Sequence, residues 1–312
     1  MNRKRKFAWP VMVFFLFTAG YMLMGQMNNV TQPFQKEFKM VDVYNMYYVT
    51  EIQEILGEEG WKEEVEENLK DKTLEDIKKG DLTTLPAIWF FEKLKKGEPS
   101  ELHQQEVSSY ILNLQQDDGM FLLDPAEAGE GESTFTGNLL PTKLSIEVLK
   151  KYGEPIPKKE KLIQTLTKEL HHRLEYGSDL ILNDHDVLII QILTQLDRDS
   201  EILQKARETI PFEMIEKNIR ESARNFEILP DLVALAELLH PSSHPEKVTL
   251  EIIEASLKEL QLDNGLFPFP GTKDPDILST YHALSLMEKW ELPISNQKRI
   301  LEFTNEIGKN SF

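Results

Sequence analysis

Apolar residues recur at steps of three and four along almost the whole chain beyond Gln35, and β-branched runs of alternating polarity are scarce. This spacing is typical of α-helices that bury one side. Glycine and proline interrupt the pattern repeatedly, which predicts turns between the helices. The body of the protein is therefore predicted to be all-α.

Six of the predicted helices are unusually apolar, and they recur about every 50 residues. These apolar helices cover residues 40–56, 85–94, 140–149, 184–193, 229–238 and 278–287. More charged, amphipathic helices alternate with them, over residues 61–79, 101–115, 158–174, 201–224, 245–260 and 295–307. Such alternation predicts two layers, in which the apolar helices are covered on both sides and the amphipathic helices face water.

One short motif is written twice, as QQDDGMF at 115–121 and QLDNGLF at 261–267. Its shared positions are Gln115 and Gln261, Asp117 and Asp263, Gly119 and Gly265, and Phe121 and Phe267. Each copy follows an amphipathic helix and leads to an apolar one. We expect each glycine to take the left-handed conformation that ends a helix. Each aspartate is expected to accept turn amide bonds, each phenylalanine to pack inward, and each glutamine to bond neighbouring helix ends.

The second copy and the segment LSTYHAL at 278–284 resemble the repeat of the terpene cyclase and protein prenyltransferase β-subunit superfamily, which contains squalene oxidase-type repeats. The resemblance is clear in two of six repeats and extends over residues 40–307. It implies an α/α toroid of about six helical hairpins, with the apolar helices inside and a central cavity at their ends. Residues 26–60 either complete the sixth hairpin or form a stalk.

The chemistry of that family is not expected here. Prenyltransferases resemble one another in an Asp, Cys and His zinc site, whereas this chain has no cysteine and places Ser279 where the family's histidine stands. Class II cyclases resemble one another in an Asp-x-Asp-Asp acid, and no segment of this chain completes it. We therefore expect no metal, no cofactor and neither family reaction.

Polar residues at the starts of the apolar helices are the candidates for a site. Asp184, His185 and Asp186 combine a histidine with two carboxylates, which suits a general base or a metal ligand. The same residues also suit helix capping and the helix dipole, and Asp231 has the same two interpretations.

A second polar group lies around the last apolar helix and comprises Asp274, Asp276, Thr280, Tyr281 and His282. Asp276 is the natural cap of this helix, and His282 is either a ligand-binding or a core histidine. Trp89 is the one tryptophan on an apolar helix, so it is the candidate aromatic platform. These residues, with Asp184, His185, Asp186 and Asp231, are the candidate lining of the central cavity.

The N-terminus has four cations at residues 3–6, followed by an uncharged run at 7–25. A run of that length predicts a membrane-spanning anchor with the N-terminus in the cytoplasm and the body outside. A cleaved signal peptide is the alternative. The predicted organisation is a basic tail at 1–6, the anchor, a linker at 26–39, the toroid domain at 40–307 and a tail at 308–312.

The chain carries a net charge of −18, which disfavours binding to nucleic acid. The leading hypothesis is a membrane-anchored, extracytoplasmic domain that binds an apolar or amphipathic ligand, a polyisoprenoid or a peptide, in its central cavity. One alternative is an enzyme that acts on a glycan or an isoprenoid lipid with carboxylates of the apolar helices. The other alternative is a protein-interaction scaffold.

Overall fold

A computed structural model of the chain describes residues 40–58, 60–69, 74, 84–95, 100–123, 134–176, 184–225 and 228–311. These residues lie in one unit, which spans residues 38–312. This part of the chain is all-helical and contains no β-strand. Its α-helices are α1 (Met40–Ile55), α2 (Gly60–Leu69), α3 (Thr84–Leu94), α4 (Glu101–Leu112), α5 (Leu139–Lys151), α6 (Lys159–Tyr176), α7 (Asp184–Leu196), α8 (Glu201–Thr209), α9 (Phe212–Glu221), α10 (Leu229–Leu239), α11 (Lys247–Leu260), α12 (Ile277–Lys289) and α13 (Gln297–Ser311).

The six apolar helices form where the hydrophobic pattern predicts them, as α1, α3, α5, α7, α10 and α12. Each buries residues on more than one side, as expected for helices with neighbours around them. In α3, for example, Leu85, Ile88 and Phe91 are fully buried. Burial of these side chains is the main favourable contribution to the stability of the fold.

One predicted amphipathic helix, at 201–224, is wrong because it is two helices, α8 and α9. The break falls at Ile210, whose φ of −115° and ψ of 79° lie outside the helical region. Pro211 follows directly, and proline disfavours the helical conformation in the residue before it. Proline also lacks the N–H that would continue the helix.

Successive apolar helices from α1 to α10 pack side by side. Helix α1 packs against α3, α3 against α5, α5 against α7, and α7 against α10. The last helices of the chain return to the first, since both α12 and α13 pack against α1. Gln53 of α1 donates a hydrogen bond to Asn305 of α13 at 2.8 Å, and Trp61 of α2 lies against Gly308. Gly308 therefore takes part in this contact, and α13 continues to Ser311, within the segment 308–312 that was predicted as a C-terminal tail.

The apolar helices run in the same direction where contacts between their ends define it. Lys151, the last residue of α5, donates to the carbonyl of Lys95 just beyond α3 at 3.1 Å. Lys150 donates to the carbonyl of Gln195 near the end of α7 at 3.1 Å. An ion pair joins Lys289 at the end of α12 to Glu237 near the end of α10. The C-termini of these helices therefore meet in neighbouring pairs.

The repeated motif forms the same turn twice. Gly119 and Gly265 both have φ of +89°. Gln115 donates to the carbonyl of Gly119 at 3.1 Å, and Gln261 donates to the carbonyl of Gly265 at 2.8 Å. In the second copy Gln261 also bonds Ser295, just before α13. The two turns end the amphipathic helices α4 and α11 in the same way.

Each turn is fastened to the next apolar helix by a buried threonine. The amide of Phe121 donates to Thr142 Oγ1, and the amide of Phe267 donates to Thr280 Oγ1, both at 3.0 Å. Both phenylalanines are fully buried.

The residues that accept the turn amides differ from the expected pair. They are Asp118 and Asn264, each one position after the shared aspartate, at 2.9 and 3.1 Å from their donors. Asp117 instead points outward and pairs with Lys158, and Asp263 uses its backbone carbonyl to accept from Arg299.

No helix among the described residues has both the length and the apolar character needed to cross a membrane. The predicted basic tail at 1–6, the anchor at 7–25 and the linker at 26–39 lie outside those residues.

Candidate functional site

Every apolar helix leaves one stripe of residues half-buried or exposed, although most of its other residues are buried. The stripe members are spaced by three and four residues, so they lie on one face of each helix. We call these faces the accessible stripes. They consist of Tyr44, Tyr47 and Glu51 on α1; Pro86, Trp89 and Lys93 on α3; Leu140, Lys143 and Glu147 on α5; Asp184, Leu188, Gln191 and Gln195 on α7; Asp231, Ala234 and Leu238 on α10; and Leu278, Tyr281, His282 and Ser285 on α12.

The carboxylate of Glu147 joins the stripes of three helices. Trp89 Nε1 donates to Glu147 Oε2 at 2.8 Å, and Lys93 Nζ lies 3.0 Å from the same oxygen. On the other oxygen, Lys143 lies at 3.6 Å and Gln195 Nε2 at 3.4 Å. Burial raises the pKa of Glu147, but the lysines and the indole outweigh burial and hold it below the usual value. The stripes of α3, α5 and α7 therefore face each other around an ionised carboxylate.

Aromatic side chains connect the stripes of α1, α3 and α12. The ring of Tyr47 lies 5.6 Å from that of Trp89, and Tyr48, beside it on α1, lies 5.2 Å from Tyr281. Tyr47 and Ser285 lie near the Tyr281 phenol and partly oppose the rise of its pKa. Burial raises the pKa of Tyr47 and of Tyr281 above the usual value, so both phenols are neutral at physiological pH. These three helices form an aromatic wall.

Asp184 and Asp231 bring two carboxylates together from the starts of α7 and α10. Burial and the neighbouring charge of Asp184 raise the pKa of Asp231 to about 7, although Lys143 opposes the shift. Asp184 itself is exposed. No described residue donates a hydrogen bond to either side chain. Asp231 is therefore a carboxyl group that exchanges a proton near neutral pH, next to a second carboxylate.

His282 lies deep in the same region, on the stripe of α12. Burial lowers its pKa to about 4, so its imidazole is neutral at physiological pH. Its nearest aromatic neighbour is Tyr281, at 5.4 Å between ring centroids. No residue in the described part of the chain forms a hydrogen bond with the imidazole, so both ring nitrogens are available to a bound group.

Four candidate residues have structural roles near the stripes. Asp186 is buried and accepts a hydrogen bond from Arg173 of α6 at 2.9 Å. Asp276 is buried and caps α12 by accepting from the amide of Ser279 at 2.7 Å. Thr280 fastens the second turn, and Asp274 lies exposed in the loop before α12. Asp276 and Thr280 thus bond the start of α12, Asp186 bonds α6, and none of the four side chains has a described contact with another stripe.

His185 is half-buried at the start of α7. Burial and the nearby Arg173 lower its pKa, against the opposing effect of Asp184 and Asp186. A neutral imidazole beside an arginine is a poor general base for proton transfer, because its affinity for a proton is reduced.

No group of histidine and acidic side chains within the described residues has an arrangement that could hold a metal ion.

Comparisons with known proteins give no relatives for this chain. No protein-family model, no curated protein and no solved structure matches it. The residues of the accessible stripes are therefore the basis for assigning a function.

Several stripe residues were not among the candidates predicted from sequence, chiefly Tyr47, Lys93, Lys143 and Glu147. The signal was present in the apolar helix at 140–149, where Lys143 and Glu147 are charged residues on an otherwise largely apolar pattern. A charge within such a helix faces either water or a polar site. Their spacing of four matches that of stripe members on the other apolar helices.

Proposed function

We propose that the described helices form an α/α toroid of six hairpins around the accessible stripes. Three observations support this arrangement. Successive apolar helices from α1 to α10 pack side by side, the last one returns to the first, and neighbouring C-termini meet. The alternating amphipathic helices supply an outer layer, as the family resemblance implies. In this arrangement the stripes surround a central site.

We propose that the central site binds an amphipathic ligand, either a polyisoprenoid with a polar head or a peptide. This proposal rests on one observation, namely that the stripes form two walls of different chemical character. Tyr44, Tyr47, Trp89 and Tyr281 offer aromatic surface, while the stripes of α5, α7 and α10 offer carboxylates, a lysine and amides. A ligand with one apolar and one hydrogen-bonding side satisfies both walls.

The reactions of the resembled family are not part of this proposal. The chain has no cysteine for a prenyltransferase-type zinc site. It also lacks a complete Asp-x-Asp-Asp sequence, which a class II cyclase uses to protonate an alkene.

Tryptophan fluorescence tests the binding proposal. The chain has four tryptophans, and Trp89 is the one on an accessible stripe. We expect a short-chain polyprenyl phosphate or a peptide library pool to change the emission of the wild type in a saturable way. A Trp89→Phe variant should bind with a much smaller change in emission. No saturable signal with either probe class would contradict ligand binding and favour the scaffold alternative.

A second candidate function is glycan cleavage, and the pair Asp184 and Asp231 favours it. Glycan-cleaving enzymes use one carboxyl group with a raised pKa as the acid and a second carboxylate as base or nucleophile. The raised pKa of Asp231, about 7, and the nearby carboxyl group of Asp184 fit these roles. Hydrolysis of a panel of labelled oligosaccharides that is lost in both Asp231→Asn and Asp184→Asn would establish this function. Activity that survives Asp231→Asn would exclude the assignment.

We also propose that residues 7–25 anchor the chain in a membrane with its body outside the cytoplasm. The uncharged run and the cations before it support this topology. In membranes of the native host, the chain should resist alkaline carbonate extraction. Protease added outside intact cells should remove the body. Release of a shortened chain would instead indicate a cleaved signal peptide.

A further inference from the structure

One neighbouring pair of apolar helices is packed unlike the others. Helices α10 and α12 are described throughout, yet their backbones stay further apart than those of the other neighbouring apolar helices. The ion pair between Lys289 and Glu237 is the one polar contact between these two described helices. Both of its side chains are partly exposed, Lys289 by 32% and Glu237 by 58%. We call the interface between α10 and α12 the seam.

The middle of the seam offers little that would hold it closed. His282 lies two helical turns before Lys289, so both point from the same face of α12. No described residue of α10 forms a hydrogen bond with His282, whose pKa is lowered by burial. The ion pair at the C-terminal end is therefore the main specific link across the seam.

The backbones of the other neighbouring apolar helices, those of α7 and α10 included, lie closer together, and three of these interfaces carry further links. Between α3 and α5, Lys151 bonds both the backbone of α3 and the buried carboxylate of Glu92. Between α5 and α7, Lys150 bonds the carbonyl of Gln195. Between α1 and α12, the rings of Tyr48 and Tyr281 are in contact. The seam is therefore the interface between neighbouring apolar helices with the most widely spaced backbones.

We propose that the seam is a lateral opening to the central site, and that the ion pair of Lys289 with Glu237 is its latch. Separation of α10 from α12 exposes His282 and the neighbouring stripe of α10 to a ligand arriving from the side. A lateral opening suits a long, flexible ligand, because such a chain can slide between two helices without passing end-on through the ring. The route rests on the proposed binding function, whereas the opening itself is measurable without a ligand.

Distances between spin labels test the opening. Because the chain has no cysteine, two introduced cysteines are the only labelling sites. One pair, Ser242→Cys with Glu288→Cys, is exposed and spans the seam. The control pair, Glu154→Cys with Asp197→Cys, lies just beyond the C-termini of α5 and α7, spans their interface and leaves Lys150 in place. We expect two distance populations for the seam pair and one for the control pair. With the latch removed by Lys289→Ala, the longer population should rise about two- to fivefold. That factor corresponds to about 0.4 to 1 kcal/mol, which is typical of an exposed ion pair.

A matched control removes an ion pair elsewhere on the surface. Lys298 pairs with Glu302 within α13 at 3.8 Å, and Lys298→Ala should leave the seam distances unchanged. A single narrow distance for the seam pair, in both the wild type and Lys289→Ala, would overturn the proposal. An equal response of the control pair would also overturn it, because the ring would then loosen as a whole.

The ligand route has its own test. A Glu237→Cys, Lys289→Cys variant closed with a short bismaleimide should load a short-chain polyprenyl phosphate at least tenfold more slowly than the same variant before cross-linking. Equal loading would show that the seam is not the route. If the variant binds no probe even before cross-linking, the binding function fails, while the distance measurements still decide whether the seam opens.

Discussion

Replacing Asp231 by asparagine should change how the stability of the protein depends on pH. In the folded protein, burial and the charge of Asp184 raise the pKa of Asp231 from 3.8 to about 7. Between those two values the folded state holds a proton that the unfolded state has released. Stability from this group is therefore lost as the pH rises through this window.

The size of the effect follows from the pKa difference. An increase of about 3 units in the pKa lowers the stability of the folded state by about 4 kcal/mol at a pH where the carboxyl group is ionised in both states. At pH 5.5 somewhat more than half of this cost is present, and at pH 8 nearly all of it is. Asp231 should therefore make the wild type about 2 kcal/mol less stable at pH 8 than at pH 5.5, apart from the contributions of other groups.

Guanidinium unfolding of the wild type and Asp231→Asn at both pH values measures this difference. The variant removes the ionisation, so its free energy of unfolding should gain about 2 kcal/mol relative to the wild type between pH 5.5 and pH 8. Asp184→Asn is a partial control, because losing that charge lowers the pKa of Asp231 without removing the carboxyl group. Parallel pH dependences for the wild type and Asp231→Asn would refute the reasoning, since Asp231 would then titrate alike in both states.

Three further substitutions test the packing by chemical denaturation. Gly119→Ala should lower the free energy of unfolding by about 1 to 3 kcal/mol more than Gly153→Ala does. Both glycines have positive φ, but a Cβ at position 119 would lie 2.7 Å from Leu162, whereas the space at position 153 is open. Equal losses of stability would contradict the close approach at Gly119. Gly308→Ala should destabilise the protein, because the added methyl group would overlap Trp61. Without that overlap, alanine in place of glycine would stabilise the helix by about 1 kcal/mol. A stabilised variant would therefore refute this contact. Glu92→Gln should cost about 3 kcal/mol at neutral pH by breaking a buried ion pair. Burial raises the pKa of Glu92, but its partners outweigh burial and hold the pKa below 4.5. The difference in unfolding free energy between the wild type and Glu92→Gln should therefore shrink as the pH falls below that value. A difference that stays constant would contradict an ionised Glu92.

The helices were predictable because each carries a long periodic signal. All six apolar helices begin and end within three residues of the expected positions. The errors arose where one residue decides the outcome. Pro211 splits a hydrophobic pattern that is otherwise continuous. In the first turn the amide is accepted by Asp118 and not by Asp117, and the motif alone does not distinguish these two neighbouring aspartates. Periodicity averages over many positions and does not resolve such local choices.

The candidate site was only partly predictable from sequence. Asp184, Asp231, Trp89, Tyr281 and His282 were chosen as polar or aromatic residues on apolar helices, and all five lie on accessible stripes. Their partners come from helices far away along the chain, so spacing within one helix could not reveal them. The raised pKa of Asp231 likewise depends on burial and on a neighbour 47 residues away (231 − 184), neither of which the sequence displays.

The aromatic and polar walls also explain why sequence alone left several functions open. A tyrosine on an apolar helix suits a packed core as well as a binding site, and its role depends on what faces it. Here Tyr47 faces Trp89 and Tyr281 from two other helices, and Glu147 binds Trp89 in turn. These contacts make the stripes one connected group, which is the basis of the proposed central site.

Native mass spectrometry of the full-length protein, purified in mild detergent from its own host, tests the central site most directly. We predict a retained small molecule whose mass identifies its class, and its loss or weakening in a Tyr47→Ala, Tyr281→Ala variant that remains folded. A control variant on the exposed surface, Leu102→Ala, should retain the small molecule, since Leu102 is 66% exposed and lies on α4. A wild-type protein that carries no small molecule, and acquires none from polyprenyl phosphate, peptides or oligosaccharides, would contradict a ligand-binding centre.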